Sequence, residues 1–441
     1  MSDNTNLQPP LPKRYKLPPI VNPIWHLSDF VKFIGAPEKL RKIICQQYGV
    51  KHCLLLDRAR SGLYLLIKGM ALNDEWITTS FMHRPASVVI KNHVDSLVLS
   101  SIKKDFTIDV EDVSGLISEK TQVILATHMY GKAADIVNLR SLADRHGLFL
   151  IENAVHMFGN VQVKNKKLGS WGDAAILSFN VDKPVGGLLG GALITNRDDV
   201  WEAVSGQTLG ESNKAECWNR IYTSYLSYRL KPLILRFATN NLRQAKDGIG
   251  EVESFDFNKY QHYLPRTIHA IQAATARYGF EHSVEITQRR IKNAEFLSSL
   301  LVDNKKIILP SSSEQCPNTY LYYPVLFTED INRYKIGSDL SKLGIESKWR
   351  YYPLHLQPDF TDCKQSDLTK TTEYWQQHLL LPVSPNVSKQ QLEYLSETLS
   401  QLVTTLSDGN RPAYQMAPAN YHGFLGIKTN PGDIQVKACR T

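Results

Sequence analysis

The sequence predicts an α/β protein. A large domain is built on a mostly parallel central sheet flanked by helices, and a smaller C-terminal α+β domain follows. Three observations predict it. Short apolar runs alternate with amphipathic stretches between about residues 50 and 200. Helix start and stop signals lie between those runs. At about residue 256 the pattern changes to longer helical stretches. Strands that are apolar without polar alternation suit a parallel sheet covered on both faces.

Residues 1–30 are Pro-rich and read as an irregular arm. The large domain is assigned to 31–255, the small one to 256–408, and an irregular Gly/Pro-rich tail to 409–441. Residues 37–48 have helical spacing, with Pro37 at a first turn. Strands are expected at 52–56, 96–99, 122–127, 148–152, 174–179 and 192–195. A helix over 135–146 stops at Gly147. The stretch 200–255 is polar and helical in flavour. One long helix is expected over 267–301, a strand-like run over 319–326, and helices over 331–343 and 389–406. Ligand sites in such sheets lie at the carboxyl ends of strands, so the residues just after each run carry extra weight.

Of 441 residues, 42% are hydrophobic and 21% charged, which excludes disordered, collagen-like and coiled-coil chains. No apolar run approaches the roughly 18 residues of a membrane span. The first residues lack a signal-type apolar core, and six scattered cysteines without a C-x-x-C pair suit a reducing compartment. A cytoplasmic protein with neither zinc knuckle nor dithiol site is expected. The +8 net charge is dispersed, without a basic stripe carrying aromatics, so nucleic acid is not an expected partner. His262 and His269 are seven apart but have no third ligand, so no metal is expected. The run 186–191, GGLLGG, precedes a strand rather than opening a helix, which argues against a nicotinamide site. No phosphate-loop or G-x-S-x-G motif is present.

The most informative residues are Asn153 and His156 after one run, and Ser178 and Lys183 after the next. A lysine at a strand end beside glycines is either a surface cation or, if desolvated, an amine of lowered pKa suited to a Schiff base. Ser178, five residues before it, has the chemistry to bond a phosphate. The glycines of 186–191 let backbone approach a ligand closely. Trp349, Arg350, Tyr351 and Tyr352 either line a substrate mouth or are partly buried sheet residues.

The stretch from Thr127-His128-Met129-Tyr130-Gly131 through His146-Gly147, Ile151-Glu152-Asn153-Ala154-Val155-His156 and on to 196 resembles the DegT/DnrJ/StrS family of pyridoxal-phosphate aminotransferases. Matches at 352–358 and 381–385 extend the likeness over roughly 35–405. The resemblance implies the aspartate-aminotransferase-like fold of pyridoxal-phosphate-dependent transferases. It also implies amino transfer to a keto-sugar, nucleotide-linked, with glutamate as donor. It makes Lys183 the catalytic lysine that forms an internal aldimine with pyridoxal 5'-phosphate. Ser178 would bind the cofactor phosphate, together with Ala59 and Arg60 in the 58–62 turn before a helix. His156 would bond the ring hydroxyl. His83 would stack on the ring, with Phe81 as the alternative. Tyr352 and His355 are implied to meet substrate, and sites formed between two subunits imply a homodimer.

Two departures stand out. The family's aspartate that faces the pyridine nitrogen is Asn153 here, and a neutral amide cannot hold that nitrogen's proton by charge attraction. The family asparagine that reaches the neighbouring subunit's phosphate is missing from 262–267, where Arg266 could supply a phosphate contact instead. Lys183 argues against the sub-branch that carries histidine there and dehydrates keto-sugars. Two other readings stand beside amino transfer: altered or weakened chemistry on the same fold, and a non-catalytic regulatory scaffold.

Overall fold

A computed structural model of the chain describes residues 34–219 and 263–407. The predicted arm, the tail and most of the 200–255 stretch lie outside them. In chain order the first part runs α1 (Ala36–Tyr48), β1 (His52–Leu56), α2 (Ala59–Gly69), β2 (Glu75–Thr79), α3 (Arg84–Lys91), β3 (Ser96–Ser100), α4 (Val110–Leu116), β4 (Thr121–Thr127), α5 (Ile136–His146), β5 (Phe149–Asn153), β6 (Ala174–Ser178), β7 (Gly191–Thr195) and α6 (Asp198–Ser205). After residue 263 follow α7 (Ala270–Glu281), α8 (Ser283–Leu301), β8 (Ile307–Ile308), β9 (Tyr323–Phe327), α9 (Arg333–Lys342), β10 (Lys364–Gln365), α10 (Thr369–Gln377), β11 (His378–Leu381) and α11 (Lys389–Ser407).

The large sheet has eight strands in the order β1-β7-β6-β5-β4-β2-β3-β10. The pairs from β6 through β10 are parallel, while β7 runs against both β6 and β1. The chain leaves β2 for β3 on one side and returns to β4 on the other, which makes a switch point there. Period-two alternation sends Val123 and Leu125 into the core beneath α2 and α3, and Ile124 and Ala126 into the core beneath α5. Both faces are covered, so the strands read as unbroken apolar runs. The second part folds around its own core, formed by α8, α9 and α11 against the antiparallel sheet β8-β9-β11. Phe81, Phe106 and Tyr130 meet Leu321, Tyr322, Tyr351 and Trp375 in an aromatic cluster that joins the two parts.

The expected strands and the helices at 37–48 and 135–146 are found within a residue or two of their predicted bounds. Asp135 caps α5 by accepting the Asn138 amide, and Gly147 closes it with φ 64°. Two expectations need correction. The 267–301 helix is two helices, broken at His282 (φ −106°, ψ 13°). Gln47 of α1 enters the break and donates to the Ser283 hydroxyl and to the Phe280 carbonyl, which a continuous helix would use. The strand expected from 319 begins only at Tyr323, because Thr319 and Tyr322 donate their amides to Gly131 and Tyr130 instead. Strand β2 was not singled out, since it opens on Glu75. That carboxylate is buried against Ser96, Ser118, Thr121 and Lys364, which hold it at a pKa of about 2 despite the burial that opposes this. Strand β11 was likewise not expected.

The second part does not keep to itself. Strand β10 pairs with β3 at the edge of the large sheet. Helix α7 packs with α1, β6 and β7 of the first part, whereas α8 packs in the second core. No helix among the described residues is long and apolar enough to cross a membrane.

Helix α7 also fixes the loop after β6. A Cβ built on Gly279 would stand 2.0 Å from the Val185 carbonyl oxygen. Gly279→Ala therefore forces the 183–187 loop away and should cost about 1–3 kcal/mol, read from the urea midpoint. An unchanged midpoint would contradict this packing.

Candidate active site

Every large-domain residue singled out in the sequence follows the carboxyl end of a strand: Ala59 and Arg60 after β1, His83 after β2, Asn153 and His156 at and after β5, Ser178 and Lys183 at and after β6. The sheet gathers these ends along one edge.

Lys183 is 8% exposed. Its Nζ lies 3.0 Å from His156 Nε2, 3.3 Å from the Tyr351 hydroxyl and 3.7 Å from Asp182 Oδ2. Asp182 Oδ2 also accepts from Arg350 Nη1 at 3.0 Å, and the Asp182 carbonyl accepts from the Tyr322 hydroxyl at 3.1 Å. The backbone turns that carry Lys183 close through Lys183 N–H to Asn180 and Gly186 N–H to Lys183. The expected lowering of the lysine pKa is not what this environment does. Burial favours the neutral amine, but the adjacent Asp182 carboxylate outweighs it, and the net direction is upward. Burial likewise opposes ionisation of Asp182, and Lys183 and Arg350 override it and hold the carboxyl well below its usual range.

His156 is buried, and burial followed by the Lys183 charge pushes it far below the ordinary imidazole range. Its Nδ1 accepts the Tyr130 backbone N–H at 3.2 Å. The proton of the neutral ring therefore sits on Nε2, which faces Lys183 Nζ and, at 3.1 Å, the Tyr351 oxygen. The site thus presents a fixed N–H donor beside the amine. His83 is half-buried and lies 5.8 Å from the Tyr351 ring, edge to face. Burial, then the charges of Lys183 and Arg60, push it down to about 3.

The other end of the site is the start of α2. Arg58 stands at its N-cap in an extended conformation, no side chain caps it, and its first turn holds no acid. Such a terminus favours an anion. Gly191 is Ser178's partner across β6 and β7, and a Cβ on it would stand 2.4 Å from the Ala59 nitrogen. Ala59, Arg60 and Ser178 are therefore neighbours, and the glycine is required by the close approach.

Between these ends, Asn153 is 5% exposed, and its Nδ2 donates to Thr127 Oγ1 at 3.2 Å. Its Oδ1 is buried without a hydrogen-bond partner among the described residues. The strand end beneath is rigid. Glu152, fully buried, accepts from His128 Nε2 and from the amides of Gly169 and Gly172.

Other candidates sit elsewhere. His355 has both ring nitrogens engaged inside the protein, by Ser80 at 2.6 Å and Thr372 at 2.9 Å, and ties the 352–358 segment to the end of β2. Tyr352 packs on Trp375, while its neighbour Tyr351 reaches Lys183. Arg58 pairs with Glu216. The backbone of Arg266 pairs with Asp57 beside the α2 start. Of the two stacking alternatives, Phe81 is wholly buried in the aromatic cluster, 6.3 Å from the Tyr351 ring, and half-buried His83 lies 5.8 Å from that ring. Of the two histidines set aside as metal ligands, His262 lies outside the described residues, and His269 caps α7 through Nδ1. Asp182 and Tyr322 had no role in the sequence reading. Adjacency to Lys183 was the one available signal for Asp182, and none existed for Tyr322.

The model of the DegT/DnrJ/EryC1/StrS aminotransferase family matches residues 35–233 and 254–400. Among relatives, the dTDP-4-amino-4,6-dideoxy-D-glucose transaminase of Shigella dysenteriae is 24% identical over 411 residues, covering 90% of this chain and 98% of that protein. The crystal structure of DesI in the presence of its TDP-sugar product superposes with TM-score 0.71 at 18% identity, over 89% of this chain and 94% of that one. The E. coli GDP-4-keto-6-deoxy-D-mannose-3-dehydratase with bound hydrated PLP gives TM-score 0.66 at 13% identity, over 87% and 99%. These structural likenesses show the fold: a pyridoxal-phosphate-dependent transferase architecture.

The buried rings set the response to acid. Burial leads the downward push on both His156 and His378, the latter to about 3. In the unfolded chain each takes a proton near its ordinary value of about 6.5. The unfolded state thus binds more protons below that pH, and stability is lost as pH falls from there toward 3. The loss at pH 5 is roughly 2 kcal/mol for His378, and His156 acts in the same direction. Urea midpoints at pH 7.5 and pH 5 measure it, and equal midpoints would contradict the buried neutral rings.

Proposed function

We propose, from the premise that this chain belongs to the DegT/DnrJ/EryC1/StrS aminotransferase family, that it transfers an amino group from glutamate to a nucleotide-linked keto-sugar. The observation that carries the reading is the Lys183 amine, buried at the carboxyl edge of the sheet and 3.0 Å from a histidine N–H.

The cofactor is pyridoxal 5'-phosphate, and the residues present fit it. A Lys amine lies in a dry box, an uncapped helix start adjoins Ser178, and a buried amide oxygen has no partner among the described residues. When bound, the cofactor supplies an aldehyde that takes up amines and a ring that accepts electrons. Lys183 would hold it covalently. The first-turn amides at Ala59 and Arg60, the Arg60 guanidinium and the Ser178 hydroxyl would hold its phosphate. His156 Nε2–H would donate to the ring hydroxyl, His83 would stack on the ring, and Asn153 Oδ1 would accept from the ring nitrogen. Once free, Lys183 Nζ would move a proton between the substrate's amine-bearing carbon and the cofactor's aldehyde carbon. Tyr351 and His156 keep Nζ oriented and exclude water. Tyr352, at the margin of this cluster, would meet the sugar, and His355 would support the segment that carries it. A homodimer would complete the site, with Arg266 near the phosphate turn as the candidate contact to the partner subunit. The protein would work in the cytoplasm.

Asn153 supports a slowed or diverted form of this chemistry. A neutral amide bonds a protonated ring nitrogen without charge attraction, and each pKa unit lost there is about 1.4 kcal/mol.

Two measurements test the reading. A panel of nucleotide-linked keto-sugars with glutamate should yield 2-oxoglutarate and an amino sugar by mass spectrometry, and Lys183→Ala should abolish both. No product from any panel member would contradict amino transfer. Asn153→Asp should raise the amino-transfer rate by about tenfold or more. A fall instead would give the amide a role of its own.

A further inference from the structure

A negative charge lies next to the lysine rather than at position 153. Asn153 is neutral, while Asp182 places Oδ2 3.7 Å from Lys183 Nζ. The groups that face Nζ come from several elements. Asp182 precedes it on the loop after β6, and His156 follows β5. His83 caps α3. Arg350 and Tyr351 come from the segment before α10, and Tyr322 from the approach to β9. Both histidines are pushed low enough to stay neutral near pH 7. Arg350 is positive, and Asp182 is the negative member of this set. Its carboxylate is aimed from two sides: Arg350 Nη1 holds Oδ2 at 3.0 Å, and Tyr322 holds the Asp182 carbonyl at 3.1 Å. Its second oxygen, Oδ1, is buried with no hydrogen-bond partner among the described residues.

We propose that Asp182 is the counter-ion of the Lys183 nitrogen, in the free amine and in the nitrogen that joins Lys183 to the cofactor, and that Arg350 positions it. This rests on the cofactor reading above. An opposite charge within 4–6 Å stabilises the protonated form. Asp182 thus keeps the linking nitrogen protonated and electron-withdrawing at the end of the site where the substrate amine exchanges. It supplies there part of what a carboxylate in place of Asn153 would supply at the ring. Asp182 is a positioning residue, acting through Lys183. A mere strap between the loop and the 350 segment would stabilise the fold without moving a titration.

The experiment is a spectrophotometric pH titration of the holoenzyme, following the near-visible band of the Lys183-bound cofactor. In Asp182→Asn the midpoint should fall by about 1–3 pH units. Asp182→Ser, smaller and also neutral, should move it the same way, and Asp182→Glu should bring it back toward the wild-type value. A band with the same midpoint in wild type, Asp182→Asn and Asp182→Ser would overturn the counter-ion while leaving the cofactor reading intact. A wild-type protein with no such band after reconstitution would overturn both.

Discussion

The structure depends on keeping one amine out of water. Lys183 is 8% exposed, and a buried ammonium is costly unless it is paired and hydrogen-bonded. Two neighbours meet that requirement: the Asp182 carboxylate and the Tyr351 hydroxyl oxygen. Each comes from a different stretch of chain, so the amine is satisfied only when the sheet edge and the second part of the chain are both in place. The close contact between Gly279 and the Val185 carbonyl holds the loop from beneath. The aromatic cluster around Phe81 and Tyr130 holds the two parts together alongside it.

The site is also divided electrically. One end holds the start of α2 and Arg60, with the Asp57 carboxylate engaged by Ser61 and the Arg266 amide, and its first-turn amides suit a phosphate. The lysine end contains a compensated ion pair. The middle is neutral, with Asn153 fixed by Thr127 on one side and open on the other.

Much of the large domain was legible because a parallel sheet covered on both faces writes its strands as short apolar runs, and function collects just after them. Asn153, His156, Ser178 and Lys183 were singled out by that position, and the family resemblance implies their roles. What could not be read depended on contacts between distant segments. Arg350 meets Asp182 across 168 positions, and Tyr351 rather than Tyr352 reaches the lysine because the segment's register selects it. The direction of the lysine's pKa was misjudged for the same reason: desolvation is readable from an apolar context, but a carboxylate's orientation is not. Strand β2 hid behind Glu75, whose burial is made tolerable by partners from β3, the β4 approach and β10. The break at His282 was invisible without Gln47 from α1 beside it.

The central claim is that the amine at position 183 is the covalent anchor of the cofactor. Borohydride reduction of the holoenzyme followed by peptide mapping tests it most directly. The account requires a phosphopyridoxyl mass on the peptide that contains Lys183; a label on another lysine, or on none, would contradict it.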